Sequence, residues 1–274
     1  MRSVSGLLLA AAGLVVSLPA VAQRRNVANL SLQPEAQVEL ALKGNDYLLV
    51  GISALAPLNN VSGPTFAGGQ LRLGYERFWS EKWSGGATLR VLGGPSDGYG
   101  DFIGQAGNLI AGLLLRHTST AGSFVFGQRL GAEYGTAYNA QGRDVKDRAL
   151  ARLRFDVERP LTVGEKVTLR PRLAYEAAAY VRLQRDDNEL KERVVDFGNL
   201  RGEVGLRFSP ALDITPWVAY QTWYINTLPQ FDNTGKQVGG GRTNLLTPLL
   251  GLDLRLTFGS TAAGTERRQL PTQH

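Results

Sequence analysis

The chain contains no cysteine, a single methionine and only two histidines, His117 and His274. Without cysteine there is no disulfide, no thiolate metal site, and no lipid anchor of the kind that needs a cysteine just after the cleavage site. An exported chain of this composition must draw its stability from its strand network alone. Beyond residue 22 there is also no long apolar run, so no segment has the roughly 18 residues a membrane-crossing helix needs. The scarcity of histidine weighs against catalysis. His117 falls at a turn and His274 at the last position, and neither lies where a general base would serve external chemistry. No enzymatic role is expected, and no cofactor or metal.

What is present starts with an export signal. Arg2 forms a short positive region, Leu7 to Leu18 an apolar stretch too short to span a bilayer, and Ala20-Val21-Ala22 the small-x-small pattern a signal peptidase reads. Cleavage between Ala22 and Gln23 is expected, making 1–22 a signal peptide. From there on, apolar and polar residues alternate. In the last such stretch, Leu252, Leu254, Leu256 and Phe258 fall at every second position, with Asp253, Arg255 and Thr257 between them. Successive side chains of a strand point to opposite faces, so one face is apolar and the other charged. The pattern recurs along nearly the whole chain. Together with the export signal it predicts an all-β fold: an antiparallel transmembrane β-barrel over 23–258, its apolar face toward lipid. A polar tail, 259–274, is expected to be disordered in the periplasm.

Strand number follows from the alternating runs. Ten lie between Tyr47 and Phe258; two N-terminal pieces, Ala28 to Leu32 and Val38 to Leu42, separated at Gln33-Pro34, bring the total to twelve. Bacterial single-chain barrels carry even numbers, so twelve is expected, with ten as the alternative. Loops sort by length. Those at 57–67, 93–101, 138–147, 183–197 and 227–242 are long, and the turns near 44, 81, 120, 162 and 210 are short. This is the asymmetry between the outer and periplasmic sides of such barrels. Trp79 and Trp83 bracket one short turn, a position suited to the membrane interface.

The final strand resembles those of Gram-negative outer-membrane barrels, with Gly251, Leu254, Leu256 and Phe258 matching their C-terminal assembly signal. The tail after Phe258 departs from that pattern. The stretch Arg152 to Leu161 also resembles the centre of an uncharacterised barrel family of unknown function, of Bacteroidetes type. The resemblance implies an outer-membrane location, reading of the last strand by the barrel-assembly machinery, and escort by periplasmic chaperones. A monomer in outer-membrane lipid is expected.

The face opposite the apolar one carries whatever chemistry exists. It is expected to hold Arg129, Glu133, Arg152, Arg154, Asp156, Glu158, Arg170, Arg172, Glu176, Arg201, Glu203, Arg207, Asp253 and Arg255, with Arg72, Glu76, Arg90 and Arg182. Planar guanidinium groups pair bidentately with carboxylates on neighbouring strands, which suits a crowded interior. Two functions remain open. One is a small passive channel for polar or anionic solutes; the other is a closed structural or interaction barrel that presents its external loops, its lumen filled by salt bridges. The net charge of +6 does not signal nucleic acid, because the arginines are spread through strands and mixed with acids. Asp186-Asp187-Asn188-Glu189 reads as a solvated loop ahead of a calcium site. Gly239-Gly240-Gly241 reads as a flexible loop, and Trp217, Tyr220, Trp223 and Tyr224 as interface girdle and packing.

Overall fold

The computed structural model describes residues 24–259, apart from 43–45, 60–62, 65–66, 95–98, 102–103, 106, 139–146, 164–166, 182–193 and 210. The expected signal peptide with Ala20, Ala22 and Gln23, Arg182, the acidic loop at 186–189 and the tail from 260 onward lie outside the described residues.

Eleven strands close into one barrel. They are β1 (Ser31–Ala41), β2 (Asp46–Asn59), β3 (Gly68–Phe78), β4 (Trp83–Gly93), β5 (Asn108–Ala121) and β6 (Phe124–Ala137). The circuit continues with β7 (Arg148–Glu158), β8 (Val167–Val181), β9 (Phe197–Ser209), β10 (Leu212–Phe231) and β11 (Gln237–Gly259). Each pairs antiparallel with its sequence neighbour, and β11 returns to pair with β1 in parallel, from Leu249 opposite Ser31 to Gly259 opposite Ala41. A short leading segment, Arg24–Val27, continues the same parallel line along β11 at Thr243 to Leu246.

The barrel therefore has neither twelve strands nor ten. The two N-terminal pieces are not separate staves. Pro34 does not end a strand but sits inside β1, opposite Leu252 of β11. Its missing N–H falls where the β1–β2 register passes from Leu32 opposite Ala56 to Glu35 opposite Ser53, with no pair at Gln33 or Pro34. An odd count makes the first and last strands run the same way, and the closing pair is parallel for that reason.

The short connections gather at one rim and the longer ones at the other, as the loop lengths predict, except that the expected loop at 227–242 is mostly strand, leaving only 232–236 between β10 and β11. Between β5 and β6 the turn is two residues, Gly122-Ser123, closed by Ala121 opposite Phe124. Gly122 takes φ of +59°, and no side-chain-bearing residue among those described has positive φ. A glycine in the first turn position matches the right-handed twist of the flanking strands. At the opposite rim β10 and β11 run on beyond their neighbours as a hairpin. Its tip is tied by Asp232, whose carboxylate accepts from the Thr234 hydroxyl at 2.6 Å and from the amides of Thr234 and Lys236 at 2.9 and 3.0 Å. These donors, the Thr234 hydroxyl first, hold the Asp232 carboxyl below its ordinary range. The three glycines 239–241 are no loop: they lie within β11, where Gly240 and Gly241 take φ of +66° and +80° beside a register shift between Thr227 and Gln230.

Outward positions are apolar and inward ones polar. Leu130, Leu173 and Val218 stand more than half exposed on the outer wall, whereas Glu39, Glu176 and Arg201 are at most 2 % exposed inside. In water the outer wall would be an unfavourable surface far larger than a monomer normally shows; in lipid it is the expected one. Aromatic side chains stand outward near both rims, with Trp79, Trp83, Phe124 and Phe258 at the short-turn end and Tyr134, Tyr138 and Tyr220 toward the other.

Candidate functional site in the barrel lumen

The interior is built by register. Glu133 on β6 accepts from Arg90 of β4 at 2.7 Å and forms an ion pair with Arg152 of β7 at 2.9 Å. Arg152 also reaches Glu176 of β8 at 2.7 Å, and Glu176 takes a further contact from Arg129 at 2.6 Å. Arg154 stands 3.8 Å from both Glu176 and Asp156, and Asp156 is 3.8 Å from Arg172. Arg172 and Arg170 share Glu158, the latter at 2.7 Å. Arg172 then binds Glu203 at 2.9 Å, Glu203 binds Arg201 at 2.6 Å, and Arg201 binds Asp253 at 2.6 Å. One chain of charge-assisted contacts thus runs from β4 to β11. Planar guanidinium groups make this possible, because each can face two carboxylates on different strands.

The inward set expected from alternation is inward in the structure: Arg129, Glu133, Arg152, Arg154, Asp156, Glu158, Arg170, Arg172, Glu176, Arg201, Glu203, Asp253 and Arg255 join the network or its edge. Arg207, less buried, is the register partner of Asp213. Four further charges belong with them. Glu35 lies 3.4 Å from Arg72, Glu39 lies 3.7 Å from Arg255, Arg116 lies 3.4 Å from Glu76, and Asp213 is buried opposite Arg255. The added carboxylates bring acids close to arginines in number among the described inward residues.

Trp217 is a correction. It is no girdle residue but lies inside, 4 % exposed, donating Nε1–H to Asp253 at 2.7 Å with the Arg201 guanidinium 4.0 Å above its ring. The ring lies flat over Gly251, where a Cβ would come within 2.1 Å of it. Gly251, expected as part of an assembly signal, therefore has a packing reason of its own. Leu254, Leu256 and Phe258 are outward and exposed. Trp223 also turns inward, edge-on to Phe197 at 5.7 Å. Tyr220 keeps its outward place.

Apolar clusters flank the charges unevenly: one layer covers them toward the long loops, whereas at the other end Glu158 and Asp213 stand at the strand ends themselves. Toward the long-loop rim, Leu150, Ala178 and Phe197 pack with Tyr180 and Trp223, while Trp217, Ala219 and Leu249 pack with Leu55. Leu92 and Ile110 are buried at the same end. At the short-turn rim, Tyr47 and Phe78 meet edge to face at 5.7 Å. Among the charges lies a cavity of about 60 Å³, lined by Arg72, Arg90, Arg129, Arg152, Arg201, Glu133 and uncharged polar groups including Asn199 and Gln221. His117 is outside this interior, at the short-turn rim, with Nδ1 2.6 Å from the Gln128 amide oxygen and its ring against Trp83.

A closed barrel with an apolar exterior and a charged, packed interior defines a transmembrane β-barrel. No family model matches the chain, and no curated protein matches it. Among solved structures it is similar to the NanC porin in a rhombohedral crystal form, at 11% identity and a TM-score of 0.40, over 78% of this chain and 93% of that one.

Proposed function

We propose that the protein is an outer-membrane barrel of channel type held shut by its own lumen, which works through the surfaces it presents at the long-loop rim. The observation that carries this reading is the continuous ion-pair chain from Arg90 to Asp253, covered toward the long loops by an apolar layer. A solute crossing it would have to separate buried pairs and strip water past Phe197 and Trp223. The extended β10–β11 hairpin, with Leu228, Phe231 and Val238 exposed, is the most prominent outer surface among the described residues.

A second reading is favoured by one feature. The central cavity is lined by five guanidinium groups and, among its lining residues, one carboxylate, Glu133. That is an environment for a small anion, and a channel leaning toward anions would use it as its filter. Location in the outer membrane, removal of residues 1–22, delivery by chaperones, assembly through the last strand and a monomeric state all belong to this proposal, as does the absence of enzymatic activity. The test is planar-bilayer conductance of the refolded, signal-free barrel. Silence together with heat-modifiable migration is expected for the closed barrel. Discrete anion-preferring steps, altered by Arg152→Gln, would establish the open channel in its place.

A further inference from the structure

The outer wall carries an apolar trough of about 700 Å³. Its floor is a row of register partners: Val157 on β7, Leu173 on β8, Gly202 on β9, Val218 on β10 and Leu250 on β11. At Gly202 the wall has no side chain, and a Cβ there would meet only Val218 Cγ2, at 4.0 Å. Pro171 and Pro216 border the row on its short-turn side with compact rings. Because barrel strands are tilted, a row drawn perpendicular to them climbs the wall. Val157 stands one residue from the end of β7, whereas Leu250 lies well inside β11. The trough thus starts at the short-turn rim and rises obliquely toward mid-wall. At its foot is the exposed Arg159, its guanidinium 5.6 Å from the centre of the Phe124 ring.

We propose that this trough is a phospholipid site, with one acyl chain lying over Val157, Leu173, Gly202 and Val218 and the phosphate paired with Arg159. The occupant must be apolar along the groove and anionic at its foot, at the height of the short-turn rim. A protein partner would have to bring an apolar ridge and an acid to that height. A phospholipid of the short-turn leaflet carries both in one molecule and already surrounds the wall. The inference rests on the reading that the outer wall faces lipid.

The test is native mass spectrometry, with phosphorus assay, of the full barrel extracted from membranes in mild detergent. Wild type is expected to retain one phospholipid. Gly202→Leu, which fills the trough from a position with open space, should lose it, as should Arg159→Gln, while Arg159→Lys keeps it. Heat-modifiable migration reports that each variant is folded. Equal phospholipid retention in wild type, Gly202→Leu and Arg159→Gln would overturn the site while leaving a membrane barrel standing. A phosphorus-free dimer that Gly202→Leu dissociates would overturn it in favour of a second copy of the chain. Failure of the wild type to fractionate with membranes would remove the lipid-facing reading itself, and the site with it.

Discussion

At the level of single residues, Glu176 carries the most demand. Arg129 and Arg152 bind it directly and Arg154 stands within 3.8 Å, with the Glu176 side chain 1% exposed. Glu176→Gln keeps the shape and removes the charge that three guanidinium groups share. Breaking a buried pair from one side costs about 3–5 kcal/mol, so the variant should lose heat-modifiable migration at distinctly lower urea than wild type. An unchanged midpoint would mean that water reaches the site and screens it. The sequence announces these residues through parity alone, since Arg152, Arg154, Asp156 and Glu158 alternate with Leu153, Phe155 and Val157. Parity cannot announce Ile110. Leu109 to Leu115 is apolar on both faces apart from Gly112, so the inward members of that stretch look the same as the outward ones. Trp217 misleads for a related reason. Tryptophan suits the membrane interface, and only the bare backbone at Gly251, on the next strand, makes room for it inside.

Among the elements, β6 offers the clearest test of which face meets lipid. Leu130 stands outward near its middle, between Arg129 and Gly131 of the inner face. An arginine at the bilayer midplane costs about 2–4 kcal/mol on the lipid face of such barrels, and little near the interfaces. Leu130→Arg should therefore lower the unfolding midpoint in lipid vesicles, while Phe208→Arg, exposed one residue from the short-turn end of β9, should change it little. Equal effects would place the membrane elsewhere along the strands. Long strands such as β8, with its fifteen residues, are legible in the sequence because their alternation persists. The first strand is harder to read. Gln33-Pro34 has the look of a break, yet a proline is tolerated where the partner ladder has no bond to offer, and the register shows such a gap.

For the molecule as a whole, the parity of the strand count could not be read from any local pattern. Alternation identifies staves; it does not say which neighbour the first one takes. That choice is set by closure, where Glu39 meets Arg255 and Glu35 meets Arg72 on either side of β1. Because β1 and β11 run in the same direction, Arg24 and Gly259 lie at opposite rims. A protease site inserted just before Arg24 should be cut from the side of the long loops, and one just after Gly259 from the side of the short turns. Cleavage of both from one side would mean that β1 pairs in the other direction. The parallel joint also hides a symmetry. Lift β1 out of the wall, and its two former neighbours, β2 and β11, face each other running opposite ways, with their hydrogen-bonding edges free to mate. The wall thus has the strand directions of an even-numbered cylinder with one extra stave let in at a single seam.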